Sequence, residues 1–207
     1  MAKADDEKGW VRRAREGDAG AYRFLVERYQ ARIHRLVSGL IGHGHGNVED
    51  IVQEVFVKAY FSLKKFRGDA VFGTWLYRIA VNRARDEMKK ESRRAALHDA
   101  IPREGEAVEA LNGWVGQAGP EVERPSGEPP EVLRDLVGRA IAGLPDRLRV
   151  VATLKDIEGL SYLEVSRVLK CSVGTVKSKH ARARKRLREA LSPCAPAFIR
   201  GGEGGGS

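Results

Sequence analysis

Residues 96–130 constrain this chain more than any other stretch: 35 consecutive positions hold five Pro, five Gly, seven acids and only two Arg. No helical or strand period survives there, and the segment ends in GQAGPEVERPSGEPP. About 35 structureless residues exceed what a compact domain tolerates in a loop. The stretch therefore reads as a flexible acidic linker, and the 207 residues divide into two small domains, 1–95 and 131–192. Fully extended, such a linker spans at most about 115–125 Å. Left free, its r.m.s. span is about 30–35 Å. Residues 193–207 end in GGEGGGS, which can pack nothing and reads as a flexible tail.

Charge sharpens the division. The chain carries 37 Lys+Arg against 28 Asp+Glu, a net charge of +9, and the linker alone is acidic, so the two flanking blocks are more basic than the total. An excess of that sign points to a polyanionic partner, without separating DNA from RNA or a membrane surface. Hydrophobic residues make up 42% of the chain, enough for a core. No run of 18 apolar residues occurs, and MAKADDEKGW lacks the basic start and apolar stretch of a signal peptide, so a cytoplasmic location is expected. Cys171 and Cys194 are too few for a disulfide framework and lack metal-ligand spacing; both read as inert thiols.

Helical periodicity dominates both blocks, so the fold class is all-α. Tyr22, Leu25, Val26, Tyr29, Ile33, Leu36 and Val37 recur at three- and four-residue steps behind a plausible N-cap, Asp18. Val48, Ile51, Val52, Val55, Phe56, Ala59, Tyr60 and Leu63 form a second apolar stripe. A third helix places Phe72, Trp75, Leu76 and Ile79 inward and Arg78, Asn82, Arg85, Lys89, Arg93 and Arg94 outward. After the linker, four shorter helices are expected: one from Val132, one over 146–156, one behind the capping-box pair Ser161 and Glu164, and one capped by Ser172. The last two form a helix-turn-helix over 161–191 whose second member, VGTVKSKHARARKRLREAL, holds Lys177, Lys179, Arg182, Arg184, Lys185, Arg186 and Arg188 against a single acid, Glu189. Such a unit lays its second helix in the major groove of DNA. A solvated basic face is the plain alternative.

These residues carry a resemblance. LPDRLRVVATLKDIEGLSYLEVSRVLKCSVGTVKSKHARARKRLREAL resembles region 4 of the extracytoplasmic-function sigma factors of the sigma-70 family. VEDIVQEVFVKAYFSLKKFRG resembles region 2.2, and FGTWLYRIAVNRARDEMKKESRR resembles regions 2.3 and 2.4. The likeness covers about residues 10–95 and 131–192, and leans toward the envelope-stress group of Gram-negative bacteria. It implies a factor that binds core RNA polymerase, melts the −10 promoter element with region 2 and reads the −35 element with region 4. It implies no cofactor, metal or small-molecule substrate. The implied partners are the beta-prime clamp helices, the beta flap, promoter DNA and an anti-sigma factor, membrane-anchored, which would hold the chain at the inner membrane.

The same resemblance distributes roles. The exposed positions Glu49, Asp50, Gln53, Glu54 and Lys58 on the 48–63 helix could be plain solvated surface; the family assigns this face to clamp docking. Arg78, Asn82 and Arg85 share one face of the third helix, where Arg can neutralise phosphates and Asn can pair with a base edge. The family places −10 recognition on this helix and the 66–74 loop, which takes up a flipped base. Trp75 and Tyr77 are stacking candidates, with a core role favoured for Trp75. In the helix-turn-helix, about Tyr162 to Ala181, the −35 positions fall on Thr175, Lys177, Ser178, Ala181, Arg182 and Arg184. Lys177 stands where many relatives carry Arg, and Lys lacks the planar fork that reads guanine bidentately. His43 and His45 in GHGHG read as loop residues rather than metal ligands. Two rivals are a stand-alone helix-turn-helix regulator, which leaves the 48–63 face unexplained, and a helical nucleic-acid enzyme, for which no catalytic cluster is visible.

Overall fold

The computed structural model describes residues 2–42, 47–66, 68, 71–99 and 131–192, with residues 2–6, 95–99 and 131–135 described by backbone alone. His43, His45, Arg67, Cys194, the segment 100–130 and the tail lie outside the described residues. Among the described residues eight α-helices run in order: α1 (Ala2–Arg15), α2 (Ala19–Ile41), α3 (Val48–Ser62), α4 (Phe72–Asp99), α5 (Glu131–Ala142), α6 (Asp146–Ala152), α7 (Tyr162–Leu169) and α8 (Val173–Leu191). A 3-10 turn, Leu63–Lys65, closes α3. Among the described residues there is no strand, and the expected all-α class is observed.

The caps sit where residue chemistry puts them. Asp18 accepts from the Ala21 amide and starts α2. Ser161 and Glu164 form a reciprocal capping box at α7, and Ser172 accepts from the Thr175 amide at α8. Each satisfies amides that a helix start leaves without a partner. Two boundaries differ from expectation. Helix α4 continues through Asp99, four residues into the stretch read as linker; the first Pro, Pro102, comes only beyond it, and an interior Pro is what would force an earlier stop. The helix expected over 146–156 changes pitch, because Thr153–Ile157 is a π turn in which the Glu158 amide bonds back to Thr153. Helix α1 had no counterpart in the sequence reading.

Helix α2 is the axis of the molecule. Leu25, Ile33, Leu36, Val37 and Leu40 are almost wholly buried along it, against α1, α3 and α4. Each such side chain contributes about 1.5–3 kcal/mol of burial. The far end of α2 also meets α5, α6 and the π turn, so Val150, Val151, Leu154, Val165 and Val176 of the second unit join the same apolar core as the first. Two units that the sequence separates by a linker are thus closed on each other.

Candidate functional site

On α3 the apolar stripe turns Val48, Ile51, Val55, Phe56 and Ala59 inward, which leaves Glu49, Asp50, Gln53, Glu54 and Lys58 exposed as expected. Asp50, Gln53, Glu54, Val57 and Lys58 line an open groove of about 610 Å³, closed on one side by Arg83 of α4. Glu54 is not a free carboxylate. The Arg83 guanidinium donates to both of its oxygens and also, at 2.8 Å, to buried Glu87. Those bonds hold both carboxyls below the usual Glu range and raise the arginine in turn. Glu49 and Asp50 also sit in the first turn of α3, where the helix dipole favours acids. Tyr60, expected inward, is 46% exposed, and Val57 and Phe61 are 55% and 75% exposed. The signal for Val57 and Phe61 was available: they stand four and eight residues after Gln53, on the acidic face rather than the stripe.

On α4 the three polar positions share a face but not an environment. Asn82 is exposed, whereas Arg78 and Arg85 are half-buried, a correction to their expected outward placement. Arg78 donates to the Arg167 carbonyl of α7 at 2.7 Å. Burial lowers the Arg85 guanidinium from its ordinary value, against the opposing pull of Asp146 and Cys171 in the second unit. Tyr77, a stacking candidate, is 4% exposed and donates to Glu158 Oε2 at 2.8 Å, so it has no free ring face for a base. Trp75 is half-buried among Phe66 and Phe72, as its stripe position suggested.

A cleft of about 740 Å³ is lined by Tyr29, Phe66, Val71 and Phe72, with Arg12, Arg28 and Glu7 around it, and Glu7 pairs with Arg28 at 3.3 Å. The sequence reading missed Arg12 because it made nothing of α1; the clustered arginines of 12–35 were the available signal.

In the second unit α7 and α8 meet through the turn 170–172, where Lys170 takes a left-handed φ of 52°. Val176, His180 and Ala183 face inward. His180 is clamped between the Tyr162 hydroxyl at 2.9 Å and the Asp156 carboxylate at 2.8 Å. That inward row leaves Thr175, Lys177, Ser178, Ala181, Arg182 and Arg184 exposed together. Thr175 Oγ1 lies 2.8 Å from Ser172 Oγ, within the cap, and the Lys177 ammonium sits over the Tyr162 ring at 5.8 Å. Cys171, read as an inert thiol, is half-buried against the core.

Comparison with known proteins bears on what these faces are. Residues 25–94 match the family Sigma-70 region 2, and residues 134–187 match Sigma-70, region 4. The ECF RNA polymerase sigma-E factor of Escherichia coli K12 is 42% identical over 88% of this chain and 93% of its own length.

The chain belongs to the sigma-70 family.

It is a sigma factor of the extracytoplasmic-function type, a class that directs RNA polymerase to particular promoters. The sigma-E factor of Haemophilus influenzae is 36% identical over 93% of this chain and 99% of its own. CnrH, solved in complex with the cytosolic domain of CnrY, is similar at a TM-score of 0.64 and 26% identity, covering 90% of this chain and 97% of that one. Sigma factors form a non-catalytic family of initiation factors. Among the described residues no helix of this sigma factor is long and apolar enough to cross a membrane.

Proposed function

We propose that the faces of this sigma factor divide promoter opening as follows. Glu49, Asp50, Gln53, Glu54 and Lys58, extended by exposed Val57 and Phe61, dock on the clamp helices of the polymerase. Arg78, Asn82 and Arg85 take the non-template strand of the −10 element. Thr175, Lys177, Ser178, Ala181, Arg182 and Arg184 enter the −35 major groove, and region 4 meets the beta flap. The domain limits 1–95 and 131–192, joined by a linker that threads the polymerase, belong to this reading.

The observation that carries it is the coexistence of two uncovered faces of opposite chemistry: an acidic-apolar one on α3 and a basic one on α8. A stand-alone DNA-binding regulator has use for only the second. The protein is itself no enzyme, works in the cytoplasm in a response to envelope stress, and is restrained by a membrane-anchored anti-sigma factor. The CnrH complex supports a partner of that kind, CnrY being present there as a cytosolic domain. Mixing the purified chain with core polymerase tests the assignment: co-elution and a promoter-specific run-off transcript are expected. DNA binding without either would return the protein to the stand-alone regulators.

A further inference from the structure

The inward row of α8 is apolar at Val176 and Ala183 but carries an imidazole, His180, between them. An imidazole only 5% exposed is costly to bury unless its ring nitrogens find partners. Both do, and the partners come from two other elements. Nε2 lies 2.8 and 2.9 Å from the two Asp156 oxygens, on the π turn, and Nδ1 lies 2.9 Å from the Tyr162 hydroxyl, at the start of α7. A carboxylate only accepts, so Nε2 carries a hydrogen, and in the neutral ring Nδ1 accepts from the Tyr162 hydroxyl. The two rings also meet edge to face, with centroids 5.6 Å apart. Tyr162 is thus held by its hydroxyl and against the imidazole, which fixes the plane of its ring.

That plane matters because of what stands over it. The Lys177 ammonium lies 5.8 Å from the ring centroid, and the Lys155 ammonium, from the π turn, lies 5.3 Å from the same centroid. Both are within the range at which a ring attracts a cation. Lys177 is exposed on the face of α8 assigned to the −35 element. Its ammonium is a point charge on a flexible stem, with no directional geometry of its own. To favour one base over another it must be aimed by a neighbour, and the Tyr162 ring is the neighbour in place.

We propose that His180 is a positioning residue for −35 reading: braced by Asp156, it holds the Tyr162 ring as the platform that aims Lys177 at one base pair. The proposal rests on the −35 assignment made above. A histidine serving packing alone would leave Lys177 in place when an apolar side chain of similar bulk replaced it. A positioning histidine would not, and the loss would be confined to the pair that Lys177 reads.

Three replacements separate these roles. His180→Leu keeps the bulk and removes both hydrogen bonds. Tyr162→Phe keeps the ring and removes its anchor. His180→Gln keeps a donor for Asp156 and an acceptor for Tyr162. Each is assayed as the full chain on core polymerase, by competition between a cognate promoter and its single-base −35 variants. Lys177→Ala first identifies the pair in question. At that pair His180→Leu and Tyr162→Phe should lose about two- to fivefold of the parent's preference, the weight of one exposed cation–ring contact. Preferences at the other −35 pairs should not change. His180→Gln should restore the preference, and His180→Leu added to Lys177→Ala should alter it no further. In the full chain without DNA, the Lys177 Hε protons should resonate upfield in the parent and return to ordinary shifts in His180→Leu. Parental preference in His180→Leu, or an equal loss at every −35 pair, would overturn the proposal. Unchanged preference in Lys177→Ala would show instead that the −35 assignment of Lys177 is wrong, and the reading role falls with it. The Lys177 proton shifts alone then decide whether His180 positions that side chain.

Discussion

Asn82 and Lys177 are the two residues through which the proposed roles are most sharply separable. Asn82 is the exposed member of the α4 trio, and its amide supplies both a donor and an acceptor to a base edge. Its removal touches neither the core nor the contact between the two units. Asn82→Ala should therefore leave polymerase binding and −35 recognition intact while reducing −10 discrimination by about 1–3 kcal/mol. Permanganate reactivity of unpaired thymines in the open complex reads that loss, and normal opening would demote Asn82 to ordinary surface. Lys177 is exposed on α8 with its ammonium over the Tyr162 ring. It offers a point charge where a planar fork would grip guanine with two bonds. Lys177→Ala should flatten base preference at one −35 position, whereas Arg186→Ala, which changes only a phosphate-range charge, should weaken all sequences alike. Competition binding against a set of single-base −35 variants distinguishes the two patterns.

At the level of elements, α3 and α4 are tied by one arginine. Arg83 bonds Glu54 on the proposed docking face and Glu87, whose side chain is 7% exposed. Arg83→Ala leaves Glu87, among the described residues, with the longer Lys90 contact of 3.5 Å, so a cost of about 1–3 kcal/mol is expected. The pH dependence follows from the direction of the shifts. Both carboxyls titrate below their ordinary value when folded, because Arg83 bonds the charged forms. Unfolded, they take up protons at about pH 4.3. The folded chain thus binds fewer protons; the stabilisation is complete above that value and fades as pH falls through the lower folded values. Urea titrations of parent and Arg83→Ala should differ clearly at neutral pH and converge in acid; a gap independent of pH would mean that Arg83 acts through packing. Helix α7 provides a simpler case. Ser161 and Glu164 cap each other, and Ser161→Ala should cost about 1 kcal/mol, read as a lowered melting temperature.

For the whole molecule, charge is segregated along α8: Lys177, Arg182, Arg184, Lys185, Arg186 and Arg188 are all exposed. If about four phosphates are neutralised, the logarithm of DNA affinity should fall with the logarithm of salt at a slope near −3.6. A slope near zero in a fluorescence titration of the full chain would show that this helix is not used on DNA. Much of this organisation was written in the chain itself. Helix starts at Asp18, Ser161 and Ser172, the inward stripe of α3 and the exposed rows of α3 and α8 all follow from local hydrogen bonding and a 3.6-residue period. Both act over a few residues and need no knowledge of the fold. What the sequence left open depends on residues far apart in the chain. Arg83 meets Glu54 across 29 positions, Tyr77 meets Glu158 across 81, and Arg149 meets Leu40 across 109. No periodicity encodes such pairings, because a half-polar helix position looks the same whether water or another helix faces it. Arg78 and Arg85 therefore read as outward residues, and became half-buried residues only where region 4 packs on α4. Tertiary packing alone decided which cationic positions stayed exposed, since a linker composition sets how far two domains can separate but not whether their faces fit.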